Sequence, residues 1–129
     1  MFYFSKKSLE KINNHKFHPR LRELLIQAIS TSPIDFTVIE TVRTVEQQKI
    51  NVAKGVSKTM RSRHIPSSNV SGYCEAFDIA PYPIDWNDKA RFKQLSNHIL
   101  ETAQKMEIKL TWGGTWKTLV DMPHFELKK

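Results

Sequence analysis

Apolar positions recur along this chain in two rhythms. In residues 18 to 31, "HPRLRELLIQAIST", Leu21, Leu24, Leu25, Ala28 and Ile29 fall three and four apart, the spacing of one helix face, and Ser32-Pro33 ends the run. "IDFTVIETV" then turns β-branched and aromatic, which predicts a strand over residues 34 to 42. Thr44 with Gln47 three residues later is a capping-box signature, so a helix should begin there and stop at Gly55. From Pro66 to Gly72 the letters are turn formers and predict a surface loop. "EAFDIA" reads as a short strand, and helix-start signals at Asp85 to Asp88 open a long helix over residues 87 to 106 with Phe92, Leu95, Ile99, Ala103 and Met106 inward. "IKLTW" and "HFEL" are two further strands, joined by "GGTWKTLVDMP". The predicted class is α+β: helices packed with a small, mostly antiparallel sheet.

Composition narrows this picture. A chain of 129 residues fits one domain over residues 1–129, and 40% hydrophobic content with only four glycines describes a folded globule. No run approaches the ~18 apolar residues of a membrane-spanning helix. The start, "MFYFSKKSLEKINN", puts its charges after a short apolar patch, the reverse of a signal peptide, so synthesis in a cytoplasm and no stable membrane insertion are expected. The single cysteine, Cys74, excludes an internal disulfide and favours an inert loop thiol over a metal ligand.

The formal net charge of +7 predicts attraction to polyanions: nucleic acid, anionic lipid or acidic cell-wall polymers. The basic residues are nevertheless scattered from Lys6 to Lys128, with Lys58 and Arg61 in a polar stretch midway, as a solvated surface would have them. A small basic nucleic-acid-binding protein is one reading of the charge, but no DNA- or RNA-binding motif accompanies it.

Candidate chemistry begins with Asp78, inside the apolar "AFDIA". A buried carboxylate is costly unless it is paired or bound to a metal. Upstream lies His64, and near the end "DMPHFEL" sets Asp121 and His124 three apart in another apolar setting. Three of these four residues would fill the protein positions of a catalytic zinc site that keeps its fourth position for water. The remaining carboxylate must reach that water as a general base. Asp121 suits this role, because a turn at Pro123 would bring Asp121 and His124 to one side of the metal. On spacing alone, five histidines in 129 residues produce such pairs by chance, and the blander reading of surface or satisfied core histidines stays ahead.

The ordered set "VRTVEQQ", "SRH", "AFDIAPY", "WGGTW" and "DMPHFEL" resembles the zinc peptidases of the D-alanyl-D-alanine carboxypeptidase superfamily. Within that superfamily it is most similar to bacteriophage endolysins that are L-alanyl-D-glutamate peptidases. The likeness covers nearly the whole chain. It implies that His64, Asp78 and His124 bind one zinc ion and that Asp121 is the catalytic base. It also implies that Ser62 supports His64, that Arg43 binds substrate or steadies the oxyanion, and that Gln47 braces the site. Trp112 and Trp116, flanking Gly113-Gly114, are candidates for a wall against the peptide or sugar, with core packing as the even alternative. The implied activity is hydrolysis of an amide in the peptidoglycan stem peptide by a monomeric, single-domain lysis enzyme. It would be made in the host cytoplasm, act in the cell wall, carry no separate wall-binding module and bind no nucleic acid. A D-alanyl-D-alanine carboxypeptidase or dipeptidase on the same scaffold is the alternative.

The chain departs from the family pattern at one place. Family members often set six residues between the first His and the Asp, whereas here residues 65 to 77 make thirteen. The extra residues are expected to form a longer loop at the rim of the site. Ala76 and the following Ile79-Ala80-Pro81 favour Asp78 over Glu75 or Cys74 as the ligand. His15 and His18 have no nearby acidic companion and are expected to be surface residues, and His98, within the long helix, is expected to be exposed or locally satisfied.

Overall fold

The computed structural model describes residues 1–57, 62–117 and 120–128. Lys58 and Arg61 lie outside the described residues. The elements are α1 (Lys6–Ile12), α2 (Pro19–Thr31), β1 (Phe36–Glu40), α3 (Val45–Ala53), β2 (Ala76–Pro81), α4 (Lys89–Lys105), β3 (Leu110–Trp112) and β4 (His124–Leu127), with short 3-10 turns at Pro66–Ser68 and Gly113–Thr115. The strands form one antiparallel sheet in the order β1-β2-β4-β3. The α+β expectation therefore holds.

The helix ends follow local chemistry. His18 caps α2 by accepting the Arg20 N–H on Nδ1, and Pro19 supplies the first helical residue. Thr44 Oγ1 accepts the Gln47 N–H to start α3, and Gly55 just past its end adopts φ +75°. Asp88 caps α4 through the Arg91 N–H. Helix α1 has no counterpart among the sequence-predicted elements. It lies along the outer edge of β1, where Ser8 Oγ accepts the Val38 N–H at 3.0 Å and Lys11 Nζ donates to the Val38 carbonyl at 3.3 Å. An exposed strand edge is thereby closed against pairing with another chain.

One face of the sheet packs on α2 and α4. Leu21, Leu24, Leu25 and Ala28 of α2 and Leu95, Ile99 and Ala103 of α4 meet Phe36, Val38, Phe77, Ile79 and Phe125 of the strands in one core. A row of rings crosses this face: Phe77 stacks on Phe125 at 5.2 Å between centroids, and Trp112 on Phe125 at 6.4 Å. Because side chains alternate along a strand, the neighbours of that row point to the opposite face. There Asp78 stands directly across from His124. The β1–β2 register shifts between Val38 and Glu40, so that Val38 pairs Ile79 but Glu40 pairs Asp78. This bulge turns Glu40 away from the face used by Phe36 and Val38 and sets Glu40, Asp78 and His124 in one line across three strands.

Candidate metal and catalytic site

His64 reaches this line from the loop before the Pro66–Ser68 turn and is 2% exposed. Its Nδ1 lies 2.6 Å from the Thr41 carbonyl, which can only accept, so Nδ1 carries the proton and Nε2 turns toward Asp78 Oδ1 at 3.2 Å. His124 approaches the same oxygen, Nδ1 to Oδ1 3.0 Å, with its ring 5.2 Å from that of His64, while its Nε2 faces Glu126 Oε1 at 2.7 Å. Ligand atoms of His64, Asp78 and His124 all lie within 4.8 Å of one another. Tetrahedral zinc with ligands at about 2.0–2.1 Å holds its donors roughly 3.3 Å apart, so two imidazoles and a carboxylate in this arrangement fit the ion. Both rings are also anchored through their far nitrogens, as metal-binding histidines are.

Charge in the cluster is mutually adjusted. Burial would raise the Asp78 carboxyl, but hydrogen bonds from His124 and His64 hold it well below the usual carboxylate range. Burial would lower His124, yet Asp78 and Glu126 hold it up at about 9. Burial likewise opposes ionisation of Glu126, and its bond to His124 outweighs that and lowers it. Asp121 is different: burial, and then the negative charge of Asp78, raise its carboxyl. The fields of His124, His64 and Arg43 reach Asp121 as well, which places it beside the cluster.

Asp121 is positioned by its backbone. Its N–H donates to the Gly113 carbonyl at 3.1 Å, and its own carbonyl accepts the His124 N–H at 3.2 Å, closing the turn through Met122 and Pro123. Trp112 Nε1 holds the Met122 carbonyl at 2.7 Å, and the Pro123 carbonyl accepts the Ile79 N–H at 3.0 Å. Gly113 is required here, since a Cβ would lie 2.4 Å from the Asp121 carbonyl oxygen.

Arg43 lies on the other flank. Its Nε and Nη2 grip both carboxylate oxygens of Glu40, and its Nη1 reaches Gln48 at 2.8 Å and Ser62 Oγ at 3.4 Å. Burial works against its charge, but the Glu40 bond prevails and raises its pKa. Ser62 Oγ also accepts the His64 N–H at 3.2 Å, and the Arg43 N–H donates to the His64 carbonyl at 3.0 Å. The arginine segment and the His64 loop are thus one hydrogen-bonded unit.

The structure brings His64, Asp78, His124, Asp121, Arg43 and Ser62 together. Two sequence expectations need correction. Gln47 faces solvent and bonds Asn51 at 2.8 Å; its neighbour Gln48, the fully buried position of α3, is the one that braces Arg43. Trp112 belongs to the core and supports the Asp121 turn from below, whereas Trp116 sits at the site with its ring 5.3 Å from that of His124.

The rival ligands have other occupations. Glu75 pairs with Arg63, and the buried Cys74 thiol donates to the Thr41 and Ala76 carbonyls and is pushed up to about 12 by burial. The long loop is pinned by the Asn69 amide, which reaches the carbonyls of Arg63 and Tyr73 at 2.9 and 2.8 Å. Its far end docks on the α1–α2 connection through Cys74 N–H to the Lys16 carbonyl at 2.7 Å, and Tyr73 packs against His18. Those contacts tie the far end of the loop to the α1–α2 connection. His15 is exposed, and His98 is satisfied by the Ala28 carbonyl at 2.9 Å. Sequence reasoning missed Glu40, Thr41, Gln48 and Glu126. For Glu126 a signal existed, since a residue two after His124 on a strand shares its face.

Comparison with known proteins agrees with this geometry. A family model described as phage L-alanyl-D-glutamate peptidase matches residues 1–128. The chain is 33% identical over 134 residues to the L-alanyl-D-glutamate peptidase of Escherichia phage T5, covering 99% of this chain and 90% of that protein. It is 31% identical over 131 residues to the L-alanyl-D-glutamate peptidase of Listeria phage A118, covering 96% of this chain but 42% of that longer protein. The crystal structure of the Serratia marcescens L-Ala D-Glu endopeptidase ChiX superposes with a TM-score of 0.81 at 31% identity, over 98% of this chain and 90% of the other. With a family match running from the first residue to the last strand, and a relative matched over nine-tenths of its own length, the chain belongs to the phage L-alanyl-D-glutamate peptidase family.

Proposed function

We propose that this chain is an endolysin-type peptidase that hydrolyses the L-alanyl-D-glutamate bond of the peptidoglycan stem peptide with one zinc ion held by His64, Asp78 and His124. The observation that carries the reading is the convergence of those three donors on one sheet face, beside Asp121, in a chain of this family. Zinc in such a site supplies a Lewis acid for the scissile carbonyl and makes water acidic enough to attack near neutral pH. Asp121 takes a proton from the attacking water and returns it to the leaving amine nitrogen. The Arg43 guanidinium, fixed by Glu40 and Gln48, faces the negative charge that develops on the carbonyl oxygen. Trp116 walls one side of the cleft and limits water around the reacting bond.

In this reading residues 1–129 act as one monomeric catalytic domain, made in the host cytoplasm and working on the wall once lysis opens a route. None of the described helices is long and apolar enough to cross a membrane. The test is digestion of purified peptidoglycan with and without a chelator, with products identified by mass spectrometry. New N-terminal D-glutamate, lost on chelation and restored by zinc, is expected. Release of terminal D-alanine would instead assign carboxypeptidase activity, and cleavage indifferent to chelation would remove the metal from the mechanism.

A further inference from the structure

On β4, alternation puts His124 and Glu126 on the same face, two residues apart, and Glu126 Oε1 lies 2.7 Å from His124 Nε2. A carboxylate oxygen accepts, so the Nε2 of His124 must donate. That leaves Nδ1 as the atom presented to Asp78 and, across it, to His64. The ring has two ways to be wrong. It could rotate about its outer bond, or it could place its proton on the nitrogen that faces the site; either would withdraw a lone pair from the metal position. His64 escapes both because the Thr41 carbonyl holds its Nδ1 at 2.6 Å. The backbone offers His124 no comparable acceptor among the described contacts, and Glu126 supplies one from a side chain.

We propose that Glu126 is a positioning residue: by accepting the Nε2–H of His124 it fixes the ring so that Nδ1 is presented to the zinc position. Glu126 is itself held in place. It lies across from Ala76 on β2 and Thr111 on β3, and next to it the Leu127 carbonyl is tied to Arg63 Nη2 at 2.9 Å. Arg63 also pairs with Glu75, so the end of β4 is stapled to the segment that carries His64. Strand pairing thus aims the carboxylate at the ring edge.

The inference rests on the metal reading of the site, and its test separates the two. Zinc affinity is measured by competition with a chromophoric chelator for wild type, Glu126→Ala, Glu126→Gln and His124→Ala, with melting of each metal-free protein as the folding control. Loss of an outer partner of this kind weakens metal binding by about 10- to 100-fold. That loss is expected for Glu126→Ala while the metal-free variant still melts in one cooperative transition, with Glu126→Gln recovering part of it because its amide oxygen still accepts. In the zinc-loaded wild type, a downfield imidazole N–H protected from solvent exchange is expected by NMR, and it should vanish in Glu126→Ala. Wild-type affinity in Glu126→Ala, or no recovery in Glu126→Gln, would overturn the positioning role alone. A wild type that binds no zinc, or a His124→Ala variant that binds it normally, would overturn the metal reading and this inference with it.

Discussion

Asp78 is a carboxylate among apolar neighbours, compensated by two adjacent imidazoles that both reach one of its oxygens. Asp121 has no such compensation, and burial and Asp78 keep its carboxyl above the ordinary range. The fold therefore favours the protonated acid: its contribution is complete below the unfolded pKa of ~4 and is lost as pH rises through the raised folded value. Asp121→Asn should consequently raise the melting temperature of the chelated protein at pH 7, with the advantage closing below about pH 4. The same variant should keep zinc stoichiometry while kcat falls by roughly 10²- to 10⁴-fold. A fully active Asp121→Asn would end its role as base. Arg43→Lys keeps a charge but cannot engage Glu40, Gln48 and Ser62 together, and a drop of about 10²-fold in kcat/KM is expected. At this scale Asp78 and His124 stood out as polar letters in apolar strand contexts and Asp121 as an acid three residues before His124, but spacing alone left the blander reading ahead and the family resemblance supplied the roles. Glu40 did not stand out, since simple alternation groups it with Phe36 and Val38, and only the bulge turns it to the site.

The elements themselves were legible wherever a face is apolar enough to declare itself. Helices α2 and α4 start and stop within two residues of their sequence-predicted bounds, and all four strands lie where β-branched and aromatic runs put them. Helix α1 escaped because its seven residues bury only Ser8 and Ile12, too few to set a period; its purpose is to close the β1 edge. The Gln47 expectation failed for a related reason. A capping motif identifies where α3 begins but says nothing of which following residue faces inward, and Gln48 does. The tight element joint is Gly113 against the Asp121 turn. Gly113→Ala must push the Asp121 backbone away, because its Cβ would sit 2.4 Å from that carbonyl oxygen, and activity should fall more than tenfold as the base shifts. Gly55→Ala is the contrast: nothing lies within 4 Å of its Cβ, but φ is +75°. It should cost about 1 kcal/mol of stability and leave kcat/KM unchanged, read by thermal melting alongside peptidoglycan assays.

Across the whole molecule the +7 charge and the buried cluster act over different distances. If surface charge of this sign steers approach to an anionic wall, screening beyond about 10 Å at 0.1 M salt should make the rate on intact peptidoglycan decline from 20 to 500 mM salt while hydrolysis of a small neutral substrate holds. The cluster is sheltered from salt and responds to protons instead. With metal chelated, His124 is held at about 9 by Asp78 and Glu126. A folded pKa above the unfolded ~6.5 gives stability that is complete below that unfolded value and drains as pH rises through about 9. Asp78 works at the other end: its lowered carboxyl adds stability above the ordinary carboxylate range and loses it as pH falls. The chelated protein should therefore be most stable near pH 5 to 6.5 and soften through pH 9. In the proposed metal reading zinc should remove the alkaline slope, because it would take His124 as a neutral ligand, so that neither the folded nor the unfolded state holds that proton above the unfolded pKa. At a free zinc concentration 100-fold above the dissociation constant the gain is about 2.7 kcal/mol, or roughly 10 °C in melting temperature for a domain of this size. Calorimetry at fixed free zinc should accordingly show a larger melting increment at pH 8.5 than at pH 6. An increment independent of pH would mean that His124 gives up no proton when the metal binds, and that the ion is held by other donors.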